Sequence, residues 1–451
     1  MTVNLIVLAA GQGSRMNSER PKVLHEIGAA PLLVHALSAG VTLSPSRIVV
    51  VAGVGAEAVT KAAQDWHPVC EVVIQAEQKG TGHAVLQAAP LLAEAGGDAL
   101  VLYGDTPFIR PETLAAMQDA RASSDIVVLG FDVADTTQRY GRLVADGASL
   151  EKIVEFKDAD AATRAITLCN SGVVCADSAT LFDLLGAVTN DNAAGEYYLT
   201  DIIAIARARG LTATVVRCPE AETLGINTRA ELAAAEAAFQ TRARAQAIED
   251  GVTLTAPESV FFAHDTVIGR DATIEPNVVF GPGVTVESGA RIRAFSHLEG
   301  CHVSRGAVVG PFARLRPGAE LAEDVHVGNF VEIKNAQVAE GAKINHLSYI
   351  GDADVGAKTN IGAGTITCNY DGVFKHRTTI GARVFVGSNT MLVAPVTLGD
   401  DSMTATGSVI TRDVGAGDMA IARAPQVAKP GLAVKFFDRL RAVKAAKGKG
   451  V

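Results

Sequence analysis

The chain has 451 residues with a formal net charge of −9, 48 % hydrophobic and 20 % charged residues. That length suggests about three domains at roughly 150 residues each, and the composition is that of a globular protein rather than a disordered one. The acidic balance provides no field for gathering nucleic acid, although a local basic patch could still hold a phosphorylated small molecule.

Cys70, Cys169, Cys175, Cys218, Cys301 and Cys368 are scattered, with no CxxC pair. They suggest neither a disulfide framework nor a zinc knuckle and are expected to be reduced, mostly buried thiols of a cytoplasmic protein. The first apolar run has no basic lead-in and is interrupted at Gly11, so it is not expected to act as a signal peptide. Nowhere do eighteen or more apolar residues run together, so no membrane association is expected.

From residue 4 to about 227, "LIVLAA", "RIVVVAG", "VVIQ", "ALVLYGD" and "DIVVLGF" alternate with helical patterns such as "TGHAVLQAAPLLAEA" and "PETLAAMQDARA". Near-continuous apolar strands alternating with amphipathic helices predict an α/β domain, a doubly wound, Rossmann-like and mostly parallel sheet covered on both faces. The segment 228–250 lacks glycine and proline and is rich in alanine, glutamate and arginine; it predicts one linker helix.

The character then changes. Apolar anchors fall six apart at Ile268, Ile274, Phe280, Val286, Ile292 and Leu298. After a five-residue step they resume at Val303, Val309, Leu315, Leu321, Val327 and Ile333, and again at Ile380, Val386, Leu392 and Leu398. A period of six matches the hexapeptide β-helix repeat, in which each unit supplies a short strand and a corner. One coil cannot cover its own apolar anchors, so coils must stack into a rod. Between Ile361 and Ile380 the rhythm is lost, which predicts an inserted loop holding Cys368. The basic tail "KFFDRLRAVKAAKGKGV" is expected to be a solvated, partly disordered end.

Two stretches of the front domain carry chemistry. "LAAGQGSRM" places Gly11 and Gly13 directly after a strand, but Met16 stands where a dinucleotide fingerprint needs glycine. Arg15 and Lys22 supply cations beside the loop, which suits nucleotide phosphates; ordinary turn chemistry is the alternative. In "LVLYGDTP" a strand ends in Asp105, placed to face the same crevice and to hold Mg²⁺, or else to cap a turn. In the rod, "FARLRPGAEL", "VGNFVEIKNAQV", "INHLSYIGDADVG" and "TNIGAGTITCNYDG" carry more polar groups than a β-helix needs. A histidine with reference pKa ~6.5 can take up a proton near neutral pH, and His346 is the candidate for such a role, a structural histidine the alternative.

These motifs, with "QAEQKGTGHA", "YGR", "IVEFKDA", "NSG" and "GINTRAEL", closely resemble the sugar-1-phosphate nucleotidyltransferases. Together with the hexapeptide rod, the chain resembles, from residue 5 to about 430, the bacterial bifunctional N-acetylglucosamine-1-phosphate uridylyltransferases and glucosamine-1-phosphate N-acetyltransferases. The resemblance implies a uridylyltransferase domain over 1–227 and an acetyltransferase domain over 251–451, built as a left-handed parallel β-helix. It implies acetyl transfer from acetyl-CoA to glucosamine-1-phosphate, then uridylyl transfer from UTP to N-acetylglucosamine-1-phosphate with release of pyrophosphate. The product would feed peptidoglycan and lipopolysaccharide synthesis.

By the same likeness Leu8, Ala9, Ala10, Gly11, Lys22, Gln75, Gly80 and Thr81 bind the nucleotide, Gln75 and the Gly80-Thr81 backbone reading uracil. Tyr103, Gly104, Gly141, Glu155 and Asn170 hold the sugar, and Asp105 with Asn227 holds Mg²⁺. Without the resemblance, Asn227 reads as the N-cap of the linker helix. Arg15 and Lys22 are assigned to the charge that develops during transfer. In the rod the resemblance implies that Arg316, Lys334, Tyr349 and Asn360 bind the sugar phosphate, and that Ala363, Asn369, Tyr370, Ser388, Thr406 and Arg423 line the acetyl-CoA site. Thr406 departs from the alanine frequent in the family. A homotrimer with sites between neighbours is implied as well.

Two other readings compete. A nucleotidyltransferase whose rod only assembles the oligomer would lack His346 and its cationic neighbours. A metal-dependent hydratase would need a ligand trio among His297, His302, His326, His346 and His376, whose irregular spacing offers none. An acyl-cysteine route through Cys368 lacks an activating partner.

Overall fold

The computed structural model describes residues 2–447. Contacts divide them into two units, one reaching Gln246 and taking in Phe261–His264, the other formed by Ala247–Val260 and the residues from Asp265.

The first unit is built on a sheet with these strands: β1 (Val3–Ala9), β2 (Arg47–Ala52), β3 (Glu71–Ile74), β4 (Asp98–Tyr103), β5 (Ile126–Asp132), β6 (Arg142–Asp146), β7 (Ser149–Val154), β8 (Leu168–Asp177) and β9 (Ala213–Arg217). Their spatial order is β3-β2-β1-β4-β8-β5-β9-β7-β6. β3, β2, β1 and β4 run parallel, while β8 and β7 run against their neighbours, so the sheet is mixed but mostly parallel. All of β1 is buried, and its side chains alternate between two cores. Leu5, Val7 and Ala9 join the core on one face of the sheet, and Ile6, Leu8 and Ala10 the core on the other. Each buried Leu, Ile or Val contributes about 1.5–3 kcal/mol, so this doubly covered strand is a strong anchor for the loop that follows it.

The helix expected over 81–95 is divided into Thr81–Leu86 and Ala89–Leu92. Pro90 explains the break, because a residue without an N–H is tolerated only in a helix's first turn. The linker helix spans Arg229–Glu249. Its entry is fixed by Thr228, whose hydroxyl accepts from Glu231 N (3.2 Å) while the Glu231 carboxylate accepts from Thr228 N (2.9 Å). This is a reciprocal capping box. The cap is therefore Thr228, not Asn227, and Asn227 is released for other work.

The second unit is a parallel β-helix whose anchors fall into three columns. One runs Ile268, Val286, Val303, Leu321, Val338, Val355, Ile380 and Leu398, each the register partner of the next. A second includes Ile274, Ile292, Val309, Val327, Ile344, Ile361 and Val386, and a third Phe280, Leu298, Leu315, Ile333 and Ile350. The expected anchors are buried except Ile268, which is half-buried in an early coil.

The beat does not fail at Ile361. Thr367 holds the next anchor place, pairing with Leu392, and is 1 % exposed. Its hydroxyl accepts from Gly351 N (2.8 Å) and donates to Gly351 O (3.0 Å), so the polar group is satisfied inside the stack. The insertion is confined to 369–377, and Cys368 ends the strand Ile366–Cys368 instead of lying in the loop. The extra length is a hairpin, bridged between Tyr370 and Lys375. Inside it Asp371 accepts from Val373 N (2.8 Å), Phe374 N (2.7 Å) and His376 Nε2 (2.6 Å). Those bonds hold the Asp371 carboxyl down at a pKa of about 2.

The tail is solvated as expected but is ordered as a helix. Leu432–Lys447 is a helix with no buried side chain, and residues 448–451 lie outside the described residues. The run has no proline or glycine and is rich in alanine, lysine and arginine, which favours helix without any packing partner.

Candidate functional site

The glycine loop sits at the carboxyl end of β1. Gly13 adopts φ +63°, and a Cβ there would lie 2.5 Å from the Lys22 Cβ. Glycine is thus what lets Lys22 approach the loop. The Lys22 ammonium forms an ion pair with the Asp105 carboxylate and donates to Asn227 Oδ1 at 3.0 Å. Arg15 Nη2 donates to the same oxygen at 2.9 Å. Two cations and two oxygen ligands, singled out separately in the sequence, therefore form one cluster.

Beside it lies a cavity of about 280 Å³ lined by Leu8, Ala10, Gly11, Lys22, Gln75, Gly80, Thr81, Tyr103 and Asp105. Val23, Gln78, Ala84 and Glu196 line it too, and sequence reasoning did not find them. Ala9 is the exception among the predicted nucleotide residues: strand alternation turns its side chain into the opposite core, so only its backbone can serve this site.

The predicted sugar-binding residues form a second cluster. Gly104 N donates to Leu8 O (2.9 Å), fixing β4 against β1 where Asp105 leaves the sheet. Asn170 N donates to Gly141 O (2.9 Å), and a Cβ on Gly141 would come 3.4 Å from Glu155 Oε1. Glu155 accepts from Thr200 Oγ1 at 3.2 Å. Burial raises the Glu155 carboxyl pKa, with Asp201, Asp158 and Glu196 adding to the rise. Burial likewise raises the Tyr103 phenol. Gly172 at φ +91° lies against the Tyr103 ring, where a Cβ would meet Cε2 at 2.5 Å.

The segment leading to Gly141 is held by Arg142, which is fully buried. Its guanidinium donates to the carbonyls of Tyr140 (2.5 Å), Thr136 (2.7 Å) and Gln138 (2.9 Å) and packs over Phe156. Such an arginine orders a loop by its fork of donors.

In the rod, His346 Nδ1 lies 2.8 Å from Asn329 Oδ1, and the two residues are register partners on adjacent coils. An amide oxygen only accepts, so Nδ1 carries a proton, and in the neutral ring Nε2 is the nitrogen with the lone pair. The column continues along the corner: Gly364 N bonds His346 O, Asn389 N bonds Ala363 O, and Gly407 N bonds Ser388 O. His346, Ala363, Ser388 and Thr406 thus occupy equivalent corners of successive coils.

Arg316 pairs with Glu332 (2.8 Å), yet its buried Nε has no partner. Lys334 and Lys375 lie close enough that repulsion lowers the Lys375 pKa. Asp352 accepts from Asn335 Nδ2 (2.6 Å) and from Asn369, which ties the hairpin's first residue to the rod. A Cβ on Gly351 would collide with the Tyr349 hydroxyl, so a glycine makes room for that ring. Asn360 pairs with Lys343 and Phe385 on the neighbouring coils. Tyr370 is exposed and donates to Gly372 O (2.6 Å), and Arg423 is exposed. Three of the other rod histidines are paired with carboxylates: His302 with Glu287 and Glu320, His297 with Glu299, His376 with Asp371. Cys368 has its thiol pKa raised by burial, contrary to what an acyl-cysteine needs.

Comparison with known proteins agrees with both halves. A MobA-like NTP transferase domain matches residues 5–199, and a bacterial transferase hexapeptide (six repeats) matches residues 265–300. The chain is 67 % identical over 450 residues to the bifunctional protein GlmU of Ruegeria sp. (strain TM1040), covering 100 % of both. It is 69 % identical to that of Dinoroseobacter shibae (99 % of this chain, 100 % of the relative) and 64 % identical to that of Jannaschia sp. (99 % and 98 %). The chain belongs to the GlmU family.

It is accordingly a bifunctional enzyme, a uridylyltransferase and an acetyltransferase in one polypeptide. For a GlmU chain, the residues that sequence reasoning missed are mostly partners of the ones it found. The T-x-x-E spacing of Thr228 and Glu231 was a local signal that would have freed Asn227 from its capping role. Asn329 and Arg142 had no local signal, since their roles depend on coils and loops brought together by the fold.

Proposed function

We propose that the front cleft binds UTP against Leu8, Ala10, Gly11, Gln75, Gly80 and Thr81, with N-acetylglucosamine-1-phosphate beside Tyr103, Gly104, Gly141, Glu155 and Asn170. The observation that carries this reading is the convergence of the Asp105 and Asn227 oxygens on a single ammonium at the mouth of the cavity. Two oxygen donors held around a positive charge suit a hard divalent cation, which completes its shell with phosphate and water. Mg²⁺ there would neutralise the triphosphate. Lys22 and Arg15 then meet the α-phosphate and the departing pyrophosphate, and the sugar phosphate oxygen attacks the α-phosphorus without a protein nucleophile. Catalysis is alignment and charge neutralisation.

In the rod, His346 Nε2 takes a proton of the glucosamine-1-phosphate amine as its nitrogen attacks the acetyl carbonyl carbon; the C–S bond then breaks, and the proton passes from His346 to the departing sulfur, so coenzyme A leaves as the thiol and the imidazole is again neutral. Arg316, Lys334, Tyr349 and Asn360 hold the sugar phosphate. Ala363, Asn369, Tyr370, Ser388, Thr406 and Arg423 line the acetyl-CoA groove. Acetylation precedes uridylylation, and the product is UDP-N-acetylglucosamine, a cell-wall precursor. Residues 1–227 and 251–451 divide the two activities, with 228–250 as linker.

The working form is a homotrimer in the cytoplasm. Phe295, Phe312 and Phe330 stack at 4.9 and 5.3 Å along one corner of the rod, each about half exposed, and Leu347 extends the row beside His346. An apolar row of this kind favours covering by another copy. No described helix is long and apolar enough to cross a membrane.

The test is incubation of pure protein with glucosamine-1-phosphate, acetyl-CoA, UTP and Mg²⁺, omitting each in turn. Omitting UTP should stop at N-acetylglucosamine-1-phosphate, and omitting acetyl-CoA should leave the amine unreacted. Consumption of UTP by unacetylated sugar phosphate at the full rate would refute the order. Light scattering in solution checks the trimer.

A further inference from the structure

Gln75 is 3 % exposed, yet its side chain lines the nucleotide cavity. Its Nε2 donates to Gly80 O at 3.1 Å and lies 3.0 Å from His83 Nδ1. A carbonyl oxygen can only accept, so the nitrogen end of the amide faces Gly80, and the second hydrogen points at His83. Gln87 Nε2 faces His83 Nε2 at 3.4 Å, longer than an ordinary N–H hydrogen bond, so the shorter Gln75 contact makes Nδ1 the accepting nitrogen and leaves the ring proton on Nε2. Among the described residues no donor reaches the other end of the amide, Oε1.

His83 belongs to the helix Thr81–Leu86 and is held from behind, with Gln87 Nε2 donating to its carbonyl at 2.9 Å and the Tyr197 ring tilted against it at 6.4 Å. The cluster presents a buried, fixed acceptor to whatever base enters the cavity.

We propose that His83 is a specificity-determining positioning residue: by accepting from Gln75 Nε2 it locks the amide with Oε1 toward the base and so selects uracil over cytosine. The inference rests on the reading of Gln75 as the base-contacting residue. Uracil offers a donor at N3, which Oε1 can accept. Cytosine offers a lone pair at N3, which would leave two acceptors facing each other in a buried place. A site built around a hydrogen bond rejects the analogue that cannot make it far more strongly than a merely apolar pocket does. Without His83 the amide is held by Gly80 O alone, and its reversed orientation, which offers NH₂ to cytosine N3, becomes accessible.

The experiment measures kcat/KM for UTP and CTP with N-acetylglucosamine-1-phosphate in the full-length protein, for wild type, His83→Leu and His83→Asn. His83→Leu is expected to narrow the UTP/CTP ratio by at least about tenfold, the scale of one buried hydrogen bond. Most of the loss for UTP should appear in KM, because the amide touches the base and not the reacting phosphorus. His83→Asn places a side-chain oxygen near the position of Nδ1 and should restore much of the ratio.

A wild type that favours UTP together with a His83→Leu that lowers both nucleotides equally overturns the role of His83 alone. A wild type that takes UTP and CTP equally overturns the Gln75 reading with it. The tautomer gives a check that needs no folded leucine variant: in protein labelled with ¹⁵N-histidine, the His83 signals, assigned by their loss in His83→Asn or His83→Phe, must show a protonated Nε2. A protonated Nδ1 overturns the proposal.

Discussion

His346 Nδ1 and Asn329 Oδ1 face each other at 2.8 Å across adjacent coils of the rod. Because the amide oxygen fixes the ring proton on Nδ1, Asn329 decides that Nε2 is the basic nitrogen. Asn329→Leu should therefore lower kcat for acetyl transfer by about 10²-fold, within the range a positioned base contributes. Uridylyl transfer in the same preparation should be unchanged. Coupled assays of thiol release and pyrophosphate release would measure the two together; equal loss of both would indicate a folding defect instead.

Lys22 makes the complementary case for the front cleft. It is the cation shared by Asp105 and Asn227. Lys22→Ala should cut uridylyl transfer by about 10²–10³-fold, as expected for one preorganised charge at a developing anion, and leave acetyl transfer near normal. Parallel loss of both activities would refute the assignment to one site.

Glu155 links the site to pH. Its folded pKa is raised above the ordinary 4.5, chiefly by burial. A raised carboxyl contributes stability that is present below about 4.5 and lost as pH rises through the folded pKa. At neutral pH the ionised side chain is therefore a net cost. Glu155→Gln should melt at a higher temperature than the wild type at pH 7, and the margin should shrink as pH falls. The gain should vanish below pH 4.5, and KM for the sugar phosphate should rise. Calorimetry across pH would detect the crossover, and a gain that persists at low pH would contradict this account.

Gly172 tests the fit of Tyr103. Its φ of +91°, and the 2.5 Å that would separate an added methyl from the ring, leave no room for a side chain. Gly172→Ala should destabilise the first unit by about 1–3 kcal/mol, a typical cost of local backbone strain, before any ring displacement is counted. Gly147 is the control, since it has φ +59° and nothing within 4 Å of its Cβ position. Gly147→Ala should cost less and leave uridylyl transfer intact.

The rod was legible in the sequence because inward-facing residues recur at a spacing that no helix or simple hairpin produces. What hid one anchor place was Thr367, whose hydroxyl finds its partners in Gly351 of the adjacent strand. An apolar count cannot see such a residue. In the front domain the chemistry-bearing loops were legible from their types, whereas the direction of Ala9 depended on strand alternation and the freedom of Asn227 on a cap one residue away. Asn329 and His83 act by bonding residues that local patterns do not connect, the first across a coil, the second across a turn of loop.

The coil register sets what kinds of length change the stem could survive. Val303 faces Leu321 after 18 residues, whereas Val355 faces Ile380 after 25, and the surplus leaves sideways as the 369–377 hairpin. Insertions are thus extruded, and everything downstream stays in phase. Excising one complete turn would shift later corners along the axis by about 4.8 Å, one interstrand spacing, without changing which way they point. Loss of a single residue inside a strand would rotate every following side chain out of alignment, so this architecture can evolve by whole turns or by loops, and scarcely by anything between.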